Sequence, residues 1–289
     1  PNDLRAMLTS VAAPSGSCVQ CVIVDSSDEP NSCVLNDFPN LPLDYVRVTP
    51  PSLAAQRNAG MSRLRPDISL AGYLDDDIVL LDGALEAMLE FWEQASANVG
   101  GARFQIIGVA RRVPRLVSQF FLLDSPLIGK VLPSGFVSQL DPASENTFVD
   151  WLSGGATVWR REVIERYPYD EWFLGTGFLE DVEYSYRVGR EYKLAVVAGA
   201  NVLHNSPPIR PDKYELLGRW EVINRLYFVR KHSTLSVVLC CYALIGQFLV
   251  SAALALAGRP GRWVQLRGQL QGLVAVLSRT PAREGGILK

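Results

Sequence analysis

Residues 68–77 read ISLAGYLDDD, and the fold turns on how that stretch ends. Residues 68–74 are a short apolar run suited to a buried strand, and it stops abruptly at Asp75, Asp76 and Asp77. Downstream, residues 81–97 put Leu85, Met88, Leu89 and Trp92 on one helical face. Upstream, residues 19–24 repeat the pattern: a β-branched run ends at Asp25, Ser26, Ser27 and Asp28, a turn composition, so a strand hands an aspartate to a loop. Helices are expected over residues 3–11 and 53–64. This alternation predicts an α/β fold with parallel βαβ units, whose ligands lie beyond the carboxyl ends of the strands. Asp25 and the three aspartates sit at such ends.

Farther along, residues 101–110 and 151–160 have strand composition, and residues 194–197 and 202–204 read as short strand pieces. Helices are expected over residues 162–166, 182–190 and 214–229. Residues 111–150 have no clean period and form a long irregular insertion, expected to shape ligand selectivity.

With 289 residues, 48% hydrophobic and 20% charged, the chain is neither disordered nor a small disulfide scaffold. Its five cysteines, Cys18, Cys21, Cys33, Cys240 and Cys241, form no even framework and point to a reducing compartment. Cys18 and Cys21, three apart on a strand, face opposite sides and make a poor zinc pair. The net charge of -2 hides a division: residues 1–209 sum to -10 and residues 210–289 to +8. An acidic body argues against broad nucleic-acid contact, whereas a basic, apolar tail suits an anionic membrane surface. Residues 234–257 are 24 consecutive uncharged positions, about 36 Å as a helix against about 30 Å of bilayer hydrocarbon. Arg230 and Lys231 precede them, and Arg259, Arg262 and Arg267 follow. Charge therefore sets no orientation, and a span, a helical hairpin, an interfacial helix and a buried core helix all stay open.

Three adjacent carboxylates repel one another unless a cation compensates, so Asp75, Asp76 and Asp77 form a candidate site for Mg²⁺ or Mn²⁺. A solvated acidic helix start, with Asp77 as cap, is the plainer alternative. Glu180 and Asp181 open a helix after a glycine-flanked loop and suit acid–base work, although helix starts favour acids in any case. His204 follows a short strand as a candidate ligand or a structural hydrogen-bonder.

Together these pieces resemble glycosyltransferase family 2, the inverting nucleotide-sugar transferases with a GT-A fold. The resemblance rests on VIVDSS at 22–27, AQRNAG at 55–60, YLDDD at 73–77 with LDG at 81–83, SGGAT at 153–157, and GFLEDVEYSYR at 177–187 leading to His204. It implies a single mixed sheet flanked by helices over residues 1–209, with residues 210–289 as a hydrophobic helical appendage. By the same resemblance Asp25 contacts the nucleotide base, Arg57 and Asn58 line the nucleotide pocket, and Asp75 to Asp77 hold the diphosphate, Asp75 and Asp77 through a divalent metal. Gly154 and Gly155 border the acceptor groove, Asp181 is the catalytic base beside Glu180, and His204 lies near the metal. The family usually opens with a strand like VIPTYN, and this chain begins after that point, so a domain without its first strand is expected.

The function implied is a hexosyl or deoxyhexosyl transferase using a nucleotide-diphosphate sugar at the cytoplasmic face of a membrane, with a cell-surface glycan or lipid-linked acceptor. A polyprenyl-phosphate glycosyl synthase ranks lower, because Glu180 and Asp181 suit a neutral hydroxyl and a phosphate acceptor is already ionised. A non-catalytic nucleotide- or glycan-binding protein of the same fold sits poorly with both intact acidic groups.

Overall fold

The computed structural model describes residues 2–12, 19–109, 116–140, 142–173, 175, 177–205 and 210–278. Cys18, Ala110 and Thr176, and the start of the irregular insertion, lie outside the described residues. The chain divides into two compact units: Pro1–Arg111 with Leu140–Ser206, and Arg112–Gln139 with Pro207–Lys289. Packing thus departs from chain order, since residues 112–139, read above as part of the first domain, group with the C-terminal helices.

In the first unit, α1 (Asn2–Ala12) precedes β1 (Cys21–Asp25), then β2 (Leu43–Arg47) and α2 (Leu53–Met61). Next come β3 (Leu70–Leu74), β4 (Ile78–Leu80), α3 (Ala84–Gln94) and β5 (Val99–Ile106). In the second unit lies the short α4 (Leu116–Phe120). The chain then returns through β6 (Thr147–Val149), β7 (Ala156–Arg160), α5 (Arg161–Arg166), α6 (Glu180–Val188) and β8 (Lys193–His204).

The mixed sheet is present as six strands in the order β3-β7-β5-β8-β4, with β6 also pairing β8. The expected single sheet is corrected in one respect: β1 and β2 form a separate parallel pair. No ladder joins that pair to the larger sheet among the described residues, yet both contribute to one apolar core. Parallel pairing within the larger sheet is confined to β5 with β8, and the other ladders are antiparallel. Val99–Phe104 of β5 is buried on both faces, which explains its lack of polar alternation. The two strand pieces expected near residues 194 and 202 are one strand, β8, with a register shift against Phe104/Gln105.

Residues 78–80 were absent from the sequence reading as a strand, because three residues carry no measurable period. As β4 they pair Ile78 with His204, which brings the end of β8 to the third aspartate. Gly83 turns the chain at φ 78°, and α3 then buries Ala84, Met88 and Trp92 along a one-turn repeat.

The second unit holds α7 (Tyr214–Lys231), α8 (Val237–Leu256) and α9 (Arg262–Leu277), and α9 was not foreseen. Helices α7 and α9 meet backbone to backbone. A Cβ on Gly218 would stand 2.1 Å from the Gln265 carbonyl oxygen, and one on Gly268 2.0 Å from that of Glu215. Helix α8 buries Cys240, Ala243, Leu244, Gly246, Ser251 and Ala255 along one stripe, and Ser236 caps its first turn.

Candidate functional site

The site is assembled where β3 meets β7. Their antiparallel register sets Leu74 opposite Ala156, so the aspartate loop leaves β3 beside the Gly154-Gly155 turn entering β7. A backbone bond from the Asp75 N–H to the Gly155 carbonyl oxygen, 2.8 Å, locks the two together. Any side chain at Gly155 would collide with the Asp75 carboxylate 2.5 Å away, and one at Gly154 with the Arg57 guanidinium at 2.5 Å. Both glycines therefore exist to let charged groups approach the turn.

Arg57, buried on α2, is the hub. Its Nη1 donates to Glu180 Oε1 at 3.0 Å, and its Nη2 lies 3.7 Å from Asp75 Oδ1. The guanidinium covers the Tyr169 ring at 5.0 Å and the Tyr73 ring at 5.8 Å. Tyr169 in turn stacks on Tyr184 at 4.1 Å, nearly parallel, so the cation rests on an aromatic platform. Burial opposes the charge on Arg57, but the acidic groups around it outweigh that and raise its pKa. Asn58 fixes the platform: its Nδ2 donates to the Tyr169 carbonyl oxygen and to Glu171, and its Oδ1 accepts from the Tyr169 N–H.

The loop into α6 is held open by backbone at positive φ. Gly175 and Gly177 adopt 66° and 67°, and Leu179, with a side chain, adopts 73°. That last value is strained for a non-glycine residue, and it stands immediately before the carboxylates. The Leu53 N–H bond to the Gly175 carbonyl oxygen, 2.9 Å, ties the loop to the start of α2. Glu180 is buried against Arg57, whereas Asp181 is partly buried and accepts from the Gly154 N–H at 3.1 Å and the Val182 N–H at 2.7 Å. Burial raises both carboxyl groups above their ordinary range, against the Arg57 charge, which lowers them.

On the other side of the aspartate loop, His204 Nε2 lies 3.2 Å from Asp77 Oδ1. The Asp76 carboxyl is raised by partial desolvation and then by the charges of Asp77 and Asp75. Among the described residues no group of three or more His, Cys, Asp or Glu side chains converges as a ready-made metal site.

Asp25 is engaged by the protein itself. Its Oδ1 accepts from the Ser27 N–H at 2.8 Å and from the Ser27 hydroxyl, and its Oδ2 from the Asn31 N–H at 2.8 Å and the Tyr45 hydroxyl at 2.5 Å. Burial disfavours its charge, but these bonds prevail and hold its pKa far below 3.8. Stability from Asp25 is thus present above the ordinary aspartate pKa and lost as pH falls through the depressed folded value. Tyr45→Phe is expected to cost about 1.5–3 kcal/mol at neutral pH, the range for a hydrogen bond to a charged group. Urea unfolding should show that cost shrinking in strong acid, and an equal cost at both pH values would refute it.

The structure brings Asp75, Glu180 and Asp181 together around Arg57 and places His204 beside Asp77; Tyr73, Tyr169 and Tyr184, which join the Arg57 cluster, were not singled out from the sequence. Tyr73 had a readable signal, since it is the buried aromatic near the end of β3, two residues before Asp75. Tyr169 had none, because it reaches Arg57 only through tertiary packing.

A mixed sheet flanked by helices, with an acidic loop at the end of β3, is a GT-A-like fold. The sequence model of glycosyl transferase family 2 matches residues 1–166, and the chain belongs to that family, the glycosyltransferases. No curated protein matches it in sequence. Among solved structures it is similar to the mannosyltransferase PcManGT of Pyrobaculum calidifontis, in complex with GDP-Man and Mn2+, at 13% identity and TM-score 0.56, over 96% of this chain and 84% of that one. Residues 1–349 of S. aureus TarS match at 13% identity and TM-score 0.50, over 97% of this chain and 89% of that one. GalNAc-T7 with UDP, GalNAc and Mn2+ matches at 16% identity and TM-score 0.51, over 77% of this chain and 46% of that one, so the chain spans under half its length. At these identities the likeness is one of fold.

Proposed function

We propose that the chain transfers a sugar from a nucleotide diphosphate to a hydroxyl of a glycan or lipid-linked acceptor, with inversion at the anomeric carbon. The observation carrying this reading is the division of labour between adjacent carboxylates. Glu180 is committed to Arg57, while the partly buried Asp181 is oriented by two backbone N–H groups. A carboxylate raised by burial and held in one orientation is a better base at neutral pH than an ordinary aspartate. Asp181 takes the proton of the acceptor hydroxyl as its oxygen attacks the anomeric carbon and the diphosphate departs from the opposite face. Arg57 keeps Asp181 from repelling the incoming donor by balancing Glu180 and Asp75.

The donor set also fits a divalent cation. Asp77 and His204 offer one oxygen and one nitrogen 3.2 Å apart, and Mg²⁺ or Mn²⁺ commonly takes one or two protein ligands and completes its shell from phosphate and water. When bound, the ion would neutralise charge growing on the departing diphosphate. The Mn2+ in the PcManGT and GalNAc-T7 structures supports this assignment. Calorimetric titration of UDP, GDP and dTDP, each with and without Mn²⁺, is the test. One nucleotide should bind in a Mn²⁺-dependent way, and Asp77→Asn should weaken that binding at least tenfold. Equal binding by wild type and variant would remove Asp77 from the donor site.

We further propose that the second unit rests on the cytoplasmic face of an anionic membrane. Helix α8 is the one described helix long and apolar enough to cross a bilayer, at mean hydropathy 2.2 over its best window. Its exposed stripe carries Val238, Ile245, Leu249 and Leu256, and α4 adds Leu116, Val117 and Phe120. Crossing would draw Arg262, Arg267 and the glutamines of the packed α9 toward hydrocarbon, at about 3 kcal/mol per charge. Lying in the interface leaves those groups in water. Ile245→Glu/Leu249→Glu should abolish sedimentation with phosphatidylglycerol vesicles while leaving nucleotide binding intact. Retained sedimentation would exclude α8 as the contact.

A further inference from the structure

Arg103 is among the largest fully buried side chains of the protein, and it stands on β5, the central strand of the larger sheet. A guanidinium does not shed its charge, so burying one there is costly unless its donors are used. The ladder register sets Tyr73, Thr157 and Arg103 side by side across β3, β7 and β5, on one face of the sheet. That row reaches the site, since the Tyr73 ring lies 5.8 Å from the Arg57 guanidinium. From the same row, Arg103 Nε donates to Ser153 Oγ at 2.7 Å.

Ser153 belongs to the turn that enters β7, and consecutive residues of that turn are tied to different neighbours. The Leu152 N–H donates to Ser185 Oγ, and the Ser185 hydroxyl donates to the Leu152 carbonyl oxygen, each at 3.1 Å. Ser153 is held by Arg103, the Gly154 N–H bonds to Asp181 Oδ2 at 3.1 Å, and the Gly155 carbonyl oxygen accepts from the Asp75 N–H at 2.8 Å. Asp181 and Ser185 lie one turn apart on α6, so these ties come from α6, from the aspartate loop and, through Arg103, from the sheet. A turn containing two glycines has little stiffness of its own. The direction of the Gly154 N–H is therefore set by what holds its neighbours. That N–H bonds to the ionised form of Asp181 and so draws its pKa down against the effect of burial.

We propose that Arg103 is a positioning residue for the catalytic base: through the Ser153 hydroxyl it fixes the Gly154 turn, and with it the N–H that orients Asp181. The role of Asp181 as base rests on the transferase reading, whereas the link from Arg103 to Asp181 does not. NMR on the full chain, with aspartate labelled with carbon-13 at Cγ, would follow the titration of Asp181, its signal identified by its loss in Asp181→Asn. Ser153→Ala should move the midpoint upward by about one pH unit, the shift expected when a hydrogen bond to the ionised form is given up. Glu180, Arg57 and Tyr169, which act on Asp181 through their charges, are untouched by that substitution. Ser153→Thr keeps a hydroxyl for Arg103 and should restore the midpoint. Arg103→Met should give the same shift as Ser153→Ala, and combining the two should add nothing further. Ser153→Ala spares the buried guanidinium, so it decides the matter even if Arg103→Met does not fold. Leu4→Ala, a core truncation in α1, should lower stability and leave the midpoint in place. In turnover, the rise of kcat with pH should move upward with the titration in Ser153→Ala, whereas a mere loss of folded protein would scale the profile without moving it. A midpoint unmoved by Ser153→Ala, or moved equally by Leu4→Ala, overturns the proposal and leaves Arg103 a packing residue. A shifted midpoint in a chain that transfers no sugar would keep the link and sink the transferase reading.

Discussion

Asp181→Asn is expected to lower kcat about a thousandfold, within the 10²–10⁴ span typical of a lost general base, while nucleotide affinity stays within about twofold. The asparagine keeps an oxygen for the Gly154 N–H, so the turn beside Asp75 and Arg57 should survive. What it loses is the ability to accept a proton, along with the bond from the Val182 N–H. The pH profile gives an independent reading. Because burial raises the Asp181 pKa, wild-type kcat should climb with pH through a value above the ordinary aspartate range and then level off. The variant's residual rate should lack that limb. Glu180→Gln is the contrast: the glutamine oxygen still accepts from Arg57, so its kcat should fall much less. A kcat for Asp181→Asn within threefold of wild type would mean that another group takes the proton. An equal loss of nucleotide affinity would recast Asp181 as a structural anchor for the Gly154 turn.

The parts of this site legible in the sequence share a physical property: each is a local excess. Three carboxylates in a row, or two at a helix start, are electrostatically unusual wherever they fall, and strand periodicity places them at strand ends before any packing is known. Arg57 is the opposite case. In sequence it is one arginine in AQRNAG, and the family resemblance assigns it to the nucleotide pocket. In the structure it is buried between Glu180 and Asp75 above Tyr169, partners 123, 18 and 112 positions away. No local pattern encodes such a junction. Strand β4 was illegible for a related reason: its three residues become a strand only because β8 offers Ile78 a partner at His204. Helix α9 hid behind its glutamines, which look like a solvated face until Gln265 and Gln269 are seen turned inward to Glu221.

Arg57→Met is expected to destabilise the chain by about 3–5 kcal/mol, the cost of leaving one partner of a buried ion pair uncompensated. Arg57 and Glu180 are both at least nine-tenths buried, so solvent screens the loss little. The variant should also carry a characteristic pH dependence. Glu180 and Asp181 already titrate above their ordinary values, and losing the adjacent cation raises them further. A carboxyl group with a raised folded pKa favours folding fully only below its unfolded pKa, and that contribution disappears as pH rises through the folded value. Arg57→Met should therefore unfold most readily at alkaline pH and regain stability on acidification. Arg57→Met/Glu180→Gln removes both charges and should recover much of the loss, giving a coupling energy of the sign expected for a direct pair. Gly154→Ala should mimic the single variant in milder form, because its new Cβ would press on the guanidinium from 2.5 Å. Strict additivity in the double variant, or a pH-independent loss in the single one, would show that Arg57 contributes by filling space. The carboxylates of α6 would then owe their placement to the Leu179 backbone alone.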